Sequence, residues 1–292
     1  MKLDTIDEIT IVGPGLIGSS IGLALKKKKI VKKIVGIDLS KKNINDAKSN
    51  GSIDEGRLKV DERIQRSKII FICTPVSVID QIASSIFPFL AKDSIVTDVG
   101  SVKNCFSKKT IKLFSRKSFL VPSHPIAGTE HSGAKSAKVN LFEKKWCIIT
   151  PLKKKSFQLK MVSDIWRSIG MKISIMTPDE HDKIMSITSH LPHLIAFTIV
   201  GTAFNIDLKK KKELINFSAG GFKDFTRIGS SDPKMWLDIF IYNKKYLLKT
   251  LDDFSKDINI LKNFIKNSDK NKIYNILKKN KEIRKSIIKA GS

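Results

Sequence analysis

The run Gly13-Pro14-Gly15-Leu16-Ile17-Gly18 constrains this chain more than any other feature. It follows at once on residues 8–12, a short apolar run with the character of a buried strand. It opens a segment of helical character, residues 19–25, which ends in four lysines suited to a helix C-terminus. A second apolar run, residues 33–37, ends at Asp38, 20 residues beyond Gly18. Glycines at this spacing are a weak signal alone. With a strand before them, a helix after them and an acid at the next strand end, they make a dinucleotide-binding fingerprint. Gly13 allows the tight turn, Gly15 lets the backbone approach a pyrophosphate, and Gly18 lets helix and strand pack closely. Leu16 and Ile17 then stand at the helix N-terminus, where free N–H groups meet phosphates. Asp38 can accept hydrogen bonds from the adenine ribose and repels a 2′-phosphate. NAD is therefore expected over NADP, with Lys41 and Lys42 nearby as the only counter-signal.

The alternation continues. Strands are expected at 67–73, ending in Thr74 and Pro75, at 94–99, ending in Gly100 and Ser101, and at 119–121, 146–150 and 172–176. Helices are expected at 76–90, 102–114 and 156–169. This is an α/β pattern, an N-terminal Rossmann-type doubly wound parallel sheet. Ligands of such sheets lie beyond the carboxyl ends of the strands, where the glycines, Asp38, Thr74, Pro75, Ser101 and His124 all fall. After Thr177 the strands stop. Pro178, Asp179 and Glu180 make a good helix start, and further helices are expected through 205 and at 211–218, 233–268 and 271–288. The expected division is residues 1–177 for the dinucleotide-binding domain and 178–292 for an all-α C-terminal dimerisation and substrate domain.

Composition narrows the function classes. No charge-then-apolar leader opens the sequence, and the apolar run at 194–204 is too short to span a bilayer. Three scattered cysteines, Cys73, Cys105 and Cys147, point to a reducing compartment and to no cysteine metal site. A cytoplasmic protein is expected. The net charge of +26 comes from lysines scattered over helix ends and loops, without aromatic interleaving or a nucleic-acid motif. No nucleic-acid or membrane partner is expected; the positive field favours an anionic substrate.

All five histidines lie between positions 124 and 193. His124 follows a strand end and precedes a proline, and a neutral imidazole there can take a proton from a substrate hydroxyl as hydride leaves the same carbon. Ser101 can bond His124 or the nicotinamide carboxamide, or cap the following helix. His190 and His193, three apart, share a helix face; substrate contact and helix packing are both open to them, and no standard third metal ligand accompanies them. Gly220 to Arg227 reads as a polar loop. Arg227 can bind a carboxylate through two parallel bonds, or pair with Asp224 or Asp232 in a surface turn.

The blocks GPGLIGSS (13–20), DVGSVK (98–103), SHPIAGTEHSG (123–133), HDKIMSITSHLPH (181–193) and GGFKDFTRIGSSDPKMW (220–236) together resemble the prephenate/arogenate dehydrogenase family of tyrosine biosynthesis. The resemblance implies oxidative decarboxylation of prephenate with NAD to 4-hydroxyphenylpyruvate and CO2, or of arogenate to tyrosine, by a homodimer joined through its helical domain. A different two-domain hydroxy-acid dehydrogenase shares only the first block. By motif match, His124 is the catalytic histidine and Ser101 assists it. Arg227 binds a substrate carboxylate, His190 or His193 lines the pocket, and Thr129 and Glu130 sit near the substrate side chain.

Overall fold

The computed structural model describes residues 4–115, 120–129, 131–205, 213 and 216–291. The chain divides into two compact units, Met1–Lys244 and Lys245–Ser292.

In the first unit, β1 (Ile6–Val12), β2 (Val31–Ile37), β3 (Glu55–Arg57), β4 (Ile69–Ile72) and β5 (Ile95–Asp98) form an all-parallel sheet in the order β3-β2-β1-β4-β5. Its central strands are nearly continuous apolar runs because both faces are covered. Ile69 and Phe71 of β4 join Ile9, Ile11, Ile34 and Ile95 in one core, packed by α1 (Leu16–Lys27), α2 (Lys41–Ser49) and, further along the chain, residues 159–166. Ile70 and Ile72 point the other way, into a second core with Val12, Ile37, Val96, α3 (Val76–Ile86) and Phe114 of α4 (Lys108–Ser115). Each such side chain stabilises the fold by roughly 1.5–3 kcal/mol relative to exposure. The doubly wound sheet is thus present as the sequence pattern predicts. The short polar β3 and the polar α2, capped by Ser40 accepting from the Asn43 N–H, gave no apolar signal and were not expected.

A second sheet, β6 (Ser123–Pro125), β7 (Trp146–Ile149) and β8 (Lys172–Ile175), has β6 antiparallel to β7 and β7 parallel to β8. The strand expected at 119–121 reduces to one bridge, Leu120 to Val96; residues 116–119 lie outside the described residues. Pro122 and Pro125 offer no N–H to a ladder, so pairing here is short and changes partner. The helix expected from 102 begins only at Lys108. α5 (Phe157–Ser168) buries Trp166 against Phe71, and the indole N–H donates to Ser123 Oγ at 3.2 Å.

The helical continuation starts at α6 (Pro178–Met185), closed by a reciprocal cap between Thr177 and Glu180. A π turn, Ser186–His190, leads into α7 (Leu191–Phe204). Pro192 cannot donate to the preceding turn, and the ladder widens just before it. Pro178–Phe204 as a whole is long and apolar enough to cross a membrane by length and composition, which the segment 194–204 alone did not suggest. It also buries His181, Asp182, Ser186 and His190. The segment read as a polar loop is helix α8 (Gly220–Ile228), followed by α9 (Pro233–Tyr242). α9 docks on the sheet domain: Trp236 and Ile239 enter the second core beside Val76 and Ile79, and the Tyr242 hydroxyl donates to the Ser77 carbonyl at 3.2 Å. The long helix expected over 233–268 breaks at Asn243, and α10 (Lys244–Lys266) follows. The helix expected at 211–218 lies largely outside the described residues.

The second unit holds the rest of α10 and α11 (Lys270–Gly291). Both are amphipathic, and Leu248, Ile258, Ile260, Ile265, Tyr274, Leu277 and Ile283 are exposed on them.

Candidate active site

The β1–α1 turn makes an anion cradle. Gly13 has φ +84°, and a Cβ there would lie 2.8 Å from the Cys73 carbonyl oxygen. A Cβ on Gly18 would lie 2.6 Å from the Gly13 carbonyl oxygen. A Cβ on Gly15 would meet nothing within 4 Å, so the turn is open on the side a ligand approaches. Leu16, Ile17 and Gly18 open α1, and their N–H groups have no intrahelical acceptor. Asp38 stands half-buried beyond β2, its carboxylate oriented by the Ser40 N–H at 2.8 Å and the Asn43 amide at 3.2 Å. Thr74, beside Gly13, has a buried hydroxyl without a hydrogen-bond partner, and Pro75 caps α3. Open glycine backbone, free amides, a positioned carboxylate and an orphan hydroxyl fit a bound dinucleotide.

His124 is buried on β6, just past the end of β5. The fold fixes that strand from below. Lys103, fully buried, reaches Asp98 and donates to the Ser123 carbonyl at 2.7 Å, while the Ser123 hydroxyl donates to the Asp98 carbonyl at 2.7 Å. His124 Nδ1 lies 2.8 Å from His181 Nε2, and His181 Nδ1 lies 2.7 Å from Asp182 Oδ1. Asp182 also accepts from the Lys103 N–H at 2.7 Å, the Asn104 N–H at 2.9 Å and the Asn104 side-chain amide at 2.9 Å. These bonds hold residues 103 and 104 out of a helix, which is why α4 starts late. The Asn243 amide donates to the Asp182 carbonyl at 2.8 Å and lies 2.9 Å from His190 Nδ1. His193 stacks on Trp236 with ring centroids 3.8 Å apart, and its Nδ1 lies 2.9 Å from the Ser189 carbonyl oxygen.

The electrostatics favour neutral imidazoles. Burial pushes His124 well below the usual histidine range, and His181, Lys103 and His190 push the same way. Burial lowers His190 to about 4 and also lowers His181 and His193. For Asp182, burial pushes upward, but the bonds from His181, Lys103 and Asn104 outweigh it and hold the carboxyl below its ordinary value.

The structure therefore brings together His124, His190 and His193, and adds His181, Asp182, Asn243 and Trp236. Arg227 is exposed on the last turn of α8, and its charge lowers the His193 pKa. Among the described residues, no carboxylate of Asp224 or Asp232 pairs with it; Asp232 instead caps α9. Ser101 is half-buried in the loop after β5, with no hydrogen bond to His124, and no helix begins behind it. Thr129 is half-buried, and its hydroxyl accepts from the His131 N–H at 3.3 Å; Glu130 lies outside the described residues. Spacing gave no signal for Asn243, 53 residues from His190. His181-Asp182 sat inside a motif already singled out, but its partner His124 is 57 residues away.

Known proteins share this architecture. A family model described as prephenate dehydrogenase, nucleotide-binding domain, matches residues 21–175, and one described as prephenate dehydrogenase, dimerization domain, matches residues 177–279. Cyclohexadienyl dehydrogenase of Zymomonas mobilis is 33% identical over 89% of this chain and 89% of its own length. Prephenate dehydrogenase of Bacillus subtilis is 32% identical over 95% of this chain and 75% of its own. The crystal structure of prephenate dehydrogenase from A. aeolicus, in complex with hydroxyphenyl propionate and NAD+, superposes with a TM-score of 0.89 at 35% identity, covering 98% of this chain and 100% of that one. Synechocystis arogenate dehydrogenase superposes with a TM-score of 0.80 at 29% identity over 96% and 99% of the two chains. By its sequence blocks, its two matched domains and its fold, the chain belongs to the prephenate dehydrogenase family.

Proposed function

We propose that this chain converts prephenate and NAD+ to 4-hydroxyphenylpyruvate, CO2 and NADH in tyrosine biosynthesis. The observation that carries the reading is His124: a buried imidazole, held neutral, beyond the carboxyl ends of a sheet whose first turn fits a dinucleotide. NAD, when bound, supplies the hydride acceptor. Gly13, Gly15, Gly18 and the amides of Leu16 and Ile17 hold its pyrophosphate, Asp38 its adenine ribose, and Thr74 and Pro75 border it. His124 accepts the proton of the ring hydroxyl as hydride leaves the same carbon. Loss of CO2 then makes the ring aromatic, and His124 returns the proton to the phenolic oxygen, so no net proton is consumed. The chemistry is downhill once hydride moves, and the protein's task is mostly positioning.

Arg227 takes a substrate carboxylate, an assignment supported by its exposed guanidinium, which no described carboxylate neutralises, beside His193. His190 and His193 line the pocket with Thr129 and Glu130, and Ser101 assists His124 by turning its free hydroxyl toward substrate or cofactor. Residues 1–177 form the cofactor domain and 178–292 the substrate and dimerisation domain. The working form is a cytoplasmic homodimer with no nucleic-acid or membrane partner. Buried polar groups along Pro178–Phe204 support a helix that serves the site rather than a lipid-facing span, and the free thiols of Cys73, Cys105 and Cys147 suit a reducing compartment.

The test is NADH formation by the purified chain with prephenate, arogenate and a simple hydroxy acid in turn. Turnover of prephenate is expected. Turnover of arogenate alone moves the assignment to the amino-bearing substrate, and turnover of neither refutes it. His124→Asn is expected to lower kcat by about a hundredfold or more with NAD binding unchanged; an undiminished kcat removes His124 as the proton acceptor.

A further inference from the structure

His124 has two ring nitrogens, and only one can meet the substrate. A neutral imidazole in water prefers its hydrogen on Nε2, which would turn a donor rather than an acceptor toward a hydroxyl proton. The hydrogen bonds behind His124 decide the matter.

Asp182 has donors on both oxygens: the Lys103 N–H on Oδ1, and the Asn104 N–H and side-chain amide on Oδ2. An ionised carboxylate can only accept, so at 2.7 Å from Asp182 Oδ1 the His181 Nδ1 must carry hydrogen. A neutral His181 then has a bare Nε2. That atom lies 2.8 Å from His124 Nδ1, which must carry hydrogen in turn. The opposite arrangement would set two lone pairs against each other in a site where His124 is 9% and His181 0% exposed. His124 Nε2 is left bare.

We propose that Asp182 and His181 form a two-step relay that locks His124 in the tautomer with Nε2 free to accept the substrate proton. Both are positioning residues, and the inference rests on the reading of His124 as proton acceptor. During turnover, the proton passes from the substrate hydroxyl to His124 Nε2 and back to the phenolate oxygen. The hydrogen on His124 Nδ1 stays in its bond to His181, and Asp182 stays ionised. The positive charge held briefly on His124 is met by a lone pair of His181, whose own N–H is anchored on a carboxylate. The other charged or titratable groups facing the pair are Lys103, Asp98 and His190. Lys103, His190 and a charged His181 all oppose a charged His124; a neutral His181, with its lone pair toward His124 Nδ1, gives that charge an acceptor instead.

The test separates the tautomer from the chemistry. The full chain is labelled with [15N]histidine, and the His124 signals are assigned by their loss in His124→Asn. The wild type is expected to show a hydrogen-bearing Nδ1 and a bare Nε2 at His124, a readout that needs no turnover. His181→Leu removes the acceptor, and His124 is expected to revert to hydrogen on Nε2. With it, kcat should fall by about a hundredfold, while KM and NAD binding stay within about threefold. His181→Gln places a side-chain oxygen where Nε2 stood; it is expected to restore the tautomer and at least about a tenth of the lost rate. Hydrogen on Nε2 in the wild type overturns the relay, as does a His181→Leu protein that keeps the wild-type tautomer. If the tautomer shifts in His181→Leu and kcat does not, the relay's catalytic role fails, and the reading of His124 as base fails with it.

Discussion

Lys103 and Asp98 are both completely buried, and Lys103 Nζ spends its hydrogens on Asp98 Oδ2 and the Ser123 carbonyl. Lys103→Met keeps the aliphatic stem and removes the ammonium. Asp98 is then left as a buried charge with two backbone donors, the Gly100 N–H at 2.8 Å and the Ser123 N–H at 3.3 Å. Breaking a buried pair by removing one partner costs about 3–5 kcal/mol. Because two donors remain on the carboxylate, the low end, about 3 kcal/mol, is expected here. Asp98→Asn strands the ammonium instead and should cost a similar amount. The double variant strands neither charge and should cost at least about 1 kcal/mol less than the sum of the singles. Urea unfolding followed by tryptophan fluorescence measures all three, since Trp166 is buried beside Ser123. A loss below about 1 kcal/mol in Lys103→Met, or singles that add to the double within about 0.5 kcal/mol, would refute the idea that this pair braces the strand carrying His124.

Arg227→Ala is expected to raise KM for the anionic substrate about tenfold or more with kcat within about threefold; an unchanged KM returns Arg227 to the surface of α8. The buried histidines set an acid limit. His190 binds its proton only near pH 4, whereas the unfolded chain takes it from about 6.5 downward. The unfolded state therefore binds more protons across that window, and stability falls as pH drops through it and levels off below. By about pH 5, His190 alone accounts for about 2 kcal/mol, with His124, His181 and His193 acting in the same direction. The urea midpoint should drop clearly between about pH 7.5 and about pH 5, and an equal midpoint at the two would contradict neutral burial.

The parts of this fold that were legible in the sequence are those where one physical demand sets the residue type. The glycine turn needed its glycines for close approach, and the central strands needed continuous apolar runs because both faces are covered. The misread parts are those where a tertiary partner decides. Residues 102–107 have helical composition, but Asp182 takes the amides of 103 and 104. Residues 220–228 carry two glycines and scattered polar groups, yet they form a helix whose residues Phe222 and Ile228 are half-buried. The run over 233–268 has unbroken helical periodicity, but Asn243 breaks it to serve two partners inside the site. Pattern alone puts His124 just after a strand at 119–121, whereas it lies within β6, paired with Ile148 of β7; nor could pattern show its tautomer, because the atoms that set it come from α6.

Asn243 shows how far such control extends. Its side-chain nitrogen faces two acceptors, the Asp182 carbonyl oxygen and His190 Nδ1, and donates one hydrogen to each. The flipped amide would set oxygen against oxygen at the Asp182 carbonyl, so the orientation is fixed. His190, accepting at Nδ1, must carry its hydrogen on Nε2. His193 is the reverse: its Nδ1–H is spent on the Ser189 carbonyl, which leaves Nε2 bare. Three histidines that look alike in the sequence thus present different atoms: an acceptor at His124, a donor at His190 and an acceptor at His193. The donor among them exists because α9 stops at Asn243. A leucine at 243 would keep the helical pattern while freeing His190 to take either tautomer, and His190 Nε2 would no longer be fixed as a donor, without any change in the site's list of histidines.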